Sequence, residues 1–129
     1  MVMKRFIWHV ATPLVTGLLI YAFVRDGLLL LGGEPVTQGI SLEGTLSGFV
    51  KYNLADGLWV YSLTALMILL WCGGVSWEGR FWILSGLVVA VVSEICQAFG
   101  GLPGTFDPVD MLCYVVAFIA ANVNLYFSK

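Results

Sequence analysis

Long runs of apolar residues alternate with short polar segments along the whole chain. Four runs approach the length that a helix needs to cross a bilayer, about 20 residues, and they cover roughly residues 6–24, 54–72, 81–99 and 108–127. None of them shows the strict alternation of apolar and polar residues that is typical of a barrel strand. The pattern therefore predicts an all-α, polytopic membrane protein with four transmembrane helices, in a single domain over residues 1–129.

The composition points the same way. Hydrophobic residues make up 60% of the chain and charged residues only 11%, with a mean hydropathy of +0.94. Soluble domains are about 45–50% apolar and about 25% charged, so this chain has too few charges to cover a water-facing surface. This argues against a soluble enzyme, a disordered tail and a nucleic-acid-binding domain, and it makes the lipid bilayer the first expected partner.

Basic residues predict how the four helices are oriented. With four spans, both termini and the second loop share one side, and four of the six basic residues fall there: Lys4, Arg5, Arg80 and Lys129. The other two, Arg25 and Lys51, fall on the opposite side. Since short cytoplasmic loops carry the excess of Lys and Arg, we expect both termini in the cytoplasm. The stretch before Arg25 has no small-residue cleavage pattern, so the first run is interpreted as a retained span and not as a signal peptide.

The connection between the first two spans, residues 26–53, is the one long loop. Within it, Leu42, Leu46, Phe49 and Val50 fall on one face of a helix. Ser41 is a suitable N-cap for that helix. The spacing predicts a short interfacial helix over residues 41–52, lying along the outer membrane surface.

Polar residues gather at the outer ends of the predicted spans. Asp56 lies in the first turn of the second span, Glu94 and Gln97 lie near the end of the third, and Asp107 and Asp110 begin the fourth. Glu94 and Gln97 are three residues apart, as are the two aspartates, so each pair shares a helix face. Four carboxylates and an amide are therefore expected at one depth.

Helix capping offers a purely structural interpretation of three of these acids. Asn53 and Asp56 have the spacing of a capping box, in which Asn53 caps the helix and Asp56 reaches back to it. Asp107, Pro108 and Asp110 read as N-cap, first helical residue and third helical residue. Capping does not exclude a functional role.

Glu94 is harder to explain by local structure. It lies about five residues from the outer end of its span, roughly 7 Å into the bilayer, where a charge costs about 2–3 kcal/mol. A structural pair with Arg25, or a protonated carboxyl hydrogen-bonded to Gln97, would compensate for that cost. The third alternative is a functional site.

Carboxylates that converge in this way have three kinds of chemistry open to them. Glu94, Asp107 and Asp110 could hold a divalent cation, divide acid and base roles, or relay protons. The spacing does not choose among these. The sequence contains no phosphate loop, nucleophile elbow, zinc spacing or haem motif, so catalysis is not indicated.

Two further features concern packing. His9 near the inner end of the first span is expected to be a hydrogen-bonded interfacial residue, and Asn122 and Asn124 are expected to bond across helices or to interfacial water. Gly86-x-x-x-Ala90 is a small-x-x-x-small pattern, which permits close approach of helices.

The segment from Glu94-x-x-Gln97 to Thr105-Phe106-Asp107-x-x-Asp110 resembles the VanZ-like family, with Asp56 at the place of an earlier family aspartate. In this chain Gly104 stands where the family usually has Arg. The family comprises small bacterial multi-pass membrane proteins associated with envelope stress and glycopeptide (teicoplanin) resistance. The resemblance implies a bacterial cytoplasmic membrane and a set of ligand-binding residues: Asp56, Glu94, Gln97, Thr105, Asp107 and Asp110.

Three functions follow as hypotheses. The first is a VanZ-like envelope protein whose acidic, extracytoplasmic pocket binds a cation or a polar envelope ligand. The second is a small transporter in which Glu94 relays protons or ions. The third is a non-catalytic partner subunit, in a homo-oligomer or beside another membrane protein, whose acids serve only as caps and ion pairs.

Overall fold

Four long helices make up the described part of the chain, which in this computed structural model comprises residues 1–23, 48–71, 76–102 and 104–126. Helix α1 is Val2–Phe23, α2 consists of a π-helical turn Val50–Leu54 continued by Ala55–Leu70, α3 is Trp77–Ala98, and α4 is Pro108–Tyr126. No strand is found within these ranges. All four helices are long and apolar enough to cross a membrane, which confirms the predicted all-α, polytopic architecture.

Some helix boundaries differ from those predicted. Helix α1 begins at Val2 and not near residue 6, and α3 begins at Trp77 and not near residue 81. The charged residues that ended the apolar runs, Lys4 and Arg80 among them, lie inside the first turns of these helices. Hydrophobicity marks the segment that lies in hydrocarbon, whereas the helix itself continues into the interface.

Helix α1 has one irregular segment, the π-helical turn Ile7–Ala11. Pro13 follows it and has no backbone N–H to donate to the preceding turn. The hydroxyl of Thr12 donates to the carbonyl oxygen of Ile7 at 2.9 Å and so supplies a side-chain donor beside the proline. A widened turn before a proline is an expected adjustment.

Most of the predicted interfacial helix 41–52 lies outside the described residues. Arg25 also lies outside them. The described end of the predicted helix, residues 48–52, is helical and continues directly into α2. Helical structure therefore already begins before residue 54, where the second span was predicted to start. This earlier start changes the role of Asn53, as described below.

Helix α2 occupies the centre of the bundle. It packs against α1, α3 and α4, and 44% of its spanning segment is buried, against 22% or less in the other three. Small side chains on α2 permit this close approach, and its fully buried residues include Ala55, Thr64 and Ala65. Toward the end opposite to the acids, Val10, Ala65, Ile68 and Leu125 form a continuous apolar core.

Tyr61 links three helices through hydrogen bonds. His9 Nδ1 of α1 lies 2.7 Å from the Tyr61 hydroxyl, and Asn124 Nδ2 of α4 donates to the same oxygen at 3.3 Å. These bonds confirm that His9 is hydrogen-bonded and that Asn124 bonds across helices. Asn122 forms no hydrogen bond across helices in the described part of the chain, and its amide donates to the carbonyl oxygen of Phe118 in its own helix at 2.8 Å.

At Gly86, α3 packs closely against Leu63 of α2. A Cβ atom at this position would lie 2.8 Å from Leu63 Cδ2 and 3.1 Å from Leu63 Cγ. At Gly57, by contrast, an added Cβ would meet Cys113 Cβ at an ordinary 3.5 Å. The Gly86-x-x-x-Ala90 pattern therefore does permit close packing.

Comparing two alanine substitutions tests this packing. We expect Gly86→Ala to be less stable than Gly57→Ala by about 1–3 kcal/mol, because only the first forces a methyl group against its neighbour. Both variants gain the same helix propensity, so Gly57→Ala is a matched control. Thermal unfolding in detergent micelles, followed by tryptophan fluorescence, measures the difference. Equal midpoints for the two variants would show that α2 and α3 are not closely packed at Gly86.

Candidate functional site

Glu94 of α3 is buried, with 4% of its surface exposed. Its Oε2 accepts a hydrogen bond from the backbone N–H of Asp107 at 3.3 Å, and its Oε1 accepts one from the Tyr114 hydroxyl at 3.2 Å. Both carboxylate oxygens therefore face α4 and its N-terminus. Of the two structural alternatives, the bond to Gln97 is not among the hydrogen bonds of Glu94, and Arg25 lies outside the described residues.

Asp107 caps α4, as predicted. Its Oδ1 accepts from the backbone N–H of Val109 at 2.8 Å. In an ordinary capping box the acid at the third helical position would bond back to the N-cap N–H. Here Glu94 from a different helix takes that N–H, so Asp110 at the third position is left to bond elsewhere.

Asn53 connects α2 to both aspartates of α4. Its Nδ2 donates to Asp110 Oδ1 at 2.7 Å and to Asp107 Oδ2 at 3.1 Å. Asn53 and Asp110 are only 6% and 9% exposed. The capping-box interpretation of Asn53 and Asp56 is wrong, because α2 already begins before Asn53 and its side chain points to α4 instead.

We refer to these five residues as the Glu94 network: Asn53, Glu94, Asp107, Asp110 and Tyr114. It joins α2, α3 and α4 at one end of the bundle. Buried polar groups of this kind hold their positions well only when their hydrogen bonds are satisfied. The network therefore fixes the orientation of the Glu94 carboxylate.

A cavity of about 410 Å³ lies beside the network. All four helices contribute to it, and its lining residues are Tyr21, Asp56, Trp59, Val60, Ala90, Ser93, Glu94, Gln97 and Tyr114. Two of these carry carboxylates and one carries a carboxamide. We call this space the polar cavity, since it brings acceptor groups together inside an otherwise apolar bundle.

The predicted site residues fall into three groups. Asp56, Glu94 and Gln97 line the polar cavity. Asp107 and Asp110 belong to the Glu94 network beside the cavity but are not among its lining residues. Thr105 is exposed on the loop before α4 and does not line the cavity either.

Gly104 packs directly against Gln97. Its φ is +133°, a backbone conformation that L side chains rarely adopt, and a Cβ atom there would lie 2.8 Å from Gln97 Cδ. An Arg at this position would therefore have a strained backbone and would displace the Gln97 carboxamide. The loop thus forms part of the wall that holds the Gln97 side chain.

The donors that surround the carboxylates are protein groups. Within the described ranges, no group of three or more His, Cys, Asp or Glu side chains is placed to hold a metal ion. The Asn53 amide bridges Asp107 and Asp110, the position that a shared cation would otherwise occupy. This geometry gives no support to the predicted divalent cation at Glu94, Asp107 and Asp110.

Tyr114 and Asn53 were not identified as site residues from the sequence. Tyr114 is 5% exposed and lies seven residues after Asp107 and four after Asp110. That spacing places all three on one helix face. Tyr114 could therefore have been predicted from the sequence as a neighbour of the two aspartates. For Asn53 the signal was ambiguous, because an Asn before an apolar run is also a common N-cap.

Comparisons with protein-family models, curated proteins and solved structures give no match for this chain. The similarity to the VanZ-like family accordingly rests on the motif residues themselves.

Proposed function

We propose that this multi-pass membrane protein binds a polar, hydrogen-bond-donating ligand of the bacterial cell envelope in the polar cavity. The observation that carries the proposal is the cavity itself, in which Asp56, Glu94 and Gln97 meet inside an apolar bundle. The VanZ-like motif supports a role in the envelope and in glycopeptide resistance. The distribution of basic residues supports an extracytoplasmic position for the cavity, with both termini in the cytoplasm.

The chemistry of the lining favours a particular class of ligand. Carboxylates accept hydrogen bonds and attract positive charge, and the low dielectric of a membrane protein strengthens both effects. Ligands with ammonium, hydroxyl or amide donors fit such a lining. The proposal is for binding and includes no chemical step.

The network makes Glu94 a preorganised acceptor. The N–H of Asp107 and the hydroxyl of Tyr114 hold its two oxygens from the α4 side. Each carboxylate oxygen can accept a further hydrogen bond, and Glu94 is a lining residue of the cavity. The Glu94 side chain would therefore lose little conformational entropy when a ligand binds.

The apolar core supports binding over transport. Below the cavity, Val10, Ala65, Ile68 and Leu125 are packed together with 6% exposure or less. Among the described residues, this core places apolar side chains between the cavity and the other end of the bundle. A transporter would need a continuous polar or wet path through this depth, whereas the polar groups packed beside the core, Tyr61 with His9 and Asn124, are hydrogen-bonded to one another.

Teicoplanin susceptibility in a glycopeptide-sensitive bacterium tests the proposal. We expect expression of the wild-type protein to raise the minimum inhibitory concentration, and Glu94→Gln and Asp56→Asn to reverse at least three quarters of that increase. Losing one charged hydrogen bond costs about 1.5–3 kcal/mol, which is roughly a 10- to 150-fold loss of affinity.

Glu78→Gln is the matched control. Glu78 is an exposed acid in the first turn of α3, at the end opposite to Glu94, and its neutralisation should leave the resistance unchanged. Membrane levels of each variant are compared by immunoblotting. Full resistance in both cavity variants, or no resistance from the wild type, would refute the proposal.

A further inference from the structure

A second cavity, of about 340 Å³, adjoins the polar cavity. The two cavities share Trp59, Val60 and Ala90 as lining residues. The second one is otherwise lined almost entirely by apolar residues of α1, α2 and α3: Val10, Leu14, Ser62, Leu63, Leu66, Gly86 and Val89. We refer to the two adjoining cavities, one polar and one apolar, as the polar end and the apolar end of the α1–α3 cleft.

The cleft exists because α1 and α3 both pack against α2 and not extensively against each other. Trp59 of α2 lies at the junction of its two ends. The indole is seated on Gly17 of α1, where an added Cβ atom would be 2.8 Å from Trp59 Cδ1. An indole is apolar with one polar N–H, so it suits a boundary between polar and apolar surroundings.

The length of the cleft matches one leaflet of a bilayer. Along α3 it extends from Gln97 to Gly86, and along α1 from Tyr21 to Val10. Eleven helical residues span about 16 Å in each case. The hydrocarbon core of a bilayer is about 30 Å thick, so the cleft reaches from the interface to near the midplane. Its apolar part lies at the depth of lipid chains, and its acidic part lies nearer to the interface, within about 7 Å of it at Glu94.

We infer that the α1–α3 cleft binds an amphiphile, with a hydrocarbon chain between α1 and α3 and an ammonium headgroup beside Asp56 and Glu94. This inference rests on the proposed function and specifies its ligand class. An ammonium group supplies a positive charge and several N–H donors to carboxylates that can only accept.

Head and chain contribute differently to this binding. Lipid tails are as apolar as the side chains of the cleft, so moving a chain from the bilayer into the cleft gains little free energy. The chain determines where the molecule lies, and the head determines which molecule binds. A test therefore has to report position as well as affinity.

Photolabelling with a synthetic amphiphile reports both the position and the relative affinity of the bound molecule. The full-length protein is reconstituted in phosphatidylcholine vesicles containing a few mole per cent of a hexadecylamine with a mid-chain diazirine. After illumination, labelled peptides are mapped by mass spectrometry. We expect labelling at Leu14 and Val89 to exceed that at the lipid-facing Ile119 and Val123 of α4 at least fivefold. The matched alcohol probe, which lacks the charge, should show less than a twofold preference.

Substitutions in the cleft separate its two ends. Ala90→Trp fills the junction and should abolish the preferential labelling of Leu14 and Val89. Asp56→Asn should lower labelling by the amine probe to the level seen with the alcohol probe. Ala98→Trp, the same exchange at an exposed position of α3, is the control. Val89→Trp at the rim, where the side chain is 67% exposed, gives a second blocking variant if Ala90→Trp does not fold.

Two results would overturn the inference: labelling spread evenly over all lipid-facing positions, or equal cleft labelling by the amine and the alcohol. If labelling is even but Glu94→Gln still abolishes teicoplanin resistance, the amphiphile inference fails and the proposed function stands. If the cleft is labelled selectively but resistance is unaffected, the proposed role in resistance fails and the ligand class stands.

Discussion

Asn53→Asp is expected to destabilise the protein by about 3–5 kcal/mol at neutral pH, the range for breaking one partner of a buried charged network. The substitution keeps the size of the side chain. It removes an N–H₂ group that donates to Asp110 at 2.7 Å and to Asp107 at 3.1 Å, and it adds a third carboxylate at the same place. The loss combines unsatisfied acceptors with repulsion between like charges.

Thermal unfolding of wild type and variant in detergent micelles at pH 7 measures this difference in stability.

Asn124→Asp is the matched control for this experiment. Asn124 donates only to the Tyr61 hydroxyl, which can rotate and donate to a carboxylate in return. We expect a loss below about 1 kcal/mol, as for an ordinary hydrogen bond near the surface. Equal losses at positions 53 and 124 would show that Asn53 does not bridge the two aspartates.

Gly104→Arg is expected to cost about 1–3 kcal/mol and to weaken ligand binding. A side chain at φ +133° carries backbone strain of about that size. Its Cβ atom would also lie 2.8–3.0 Å from the carboxamide atoms of Gln97, and this flexible end of the Gln97 side chain is expected to move away. Gln97 lines the polar cavity, so displacing it changes the site as well as the loop.

Gly100→Arg is the control that separates backbone strain from the steric overlap with Gln97. Gly100 has a φ of +71°, in the left-handed region, but an added Cβ atom there meets nothing within 4 Å. We expect a loss of about 1–2 kcal/mol from the backbone conformation alone and unchanged teicoplanin resistance. Thermal unfolding and the resistance assay are compared for both variants. Loss of resistance in Gly100→Arg to the same extent would mean that Gln97 is not the relevant contact.

The fold was accessible from the sequence because hydrophobic length is a direct physical requirement for crossing a bilayer. The four spans, the close packing at Gly86 and the cap at Asp107 all follow from local rules. The helix starts at Val2 and Trp77 could not be predicted in this way. Helices continue beyond the hydrocarbon, and hydropathy does not record that continuation.

The candidate site was accessible only in part. The depth of Glu94 and the three-residue spacing of Asp107 and Asp110 identified the right end of the bundle. Local rules also assigned Asn53 to a cap within its own helix, whereas the structure pairs it with aspartates 54 and 57 residues away. Neighbour relations between helices depend on how the bundle packs, and spacing along one helix does not encode them.

The central position of α2 has a consequence for biosynthesis. Asn53 leaves the ribosome 54 residues before Asp107, the first of the partners that satisfy its amide. At about 5–20 residues per second, α2 waits about 3–11 seconds for α4. During that interval its polar end needs water, headgroups or the insertion machinery as a substitute partner. The hydrogen bonds of Asn53 are therefore completed only when α4 joins α2 and α3.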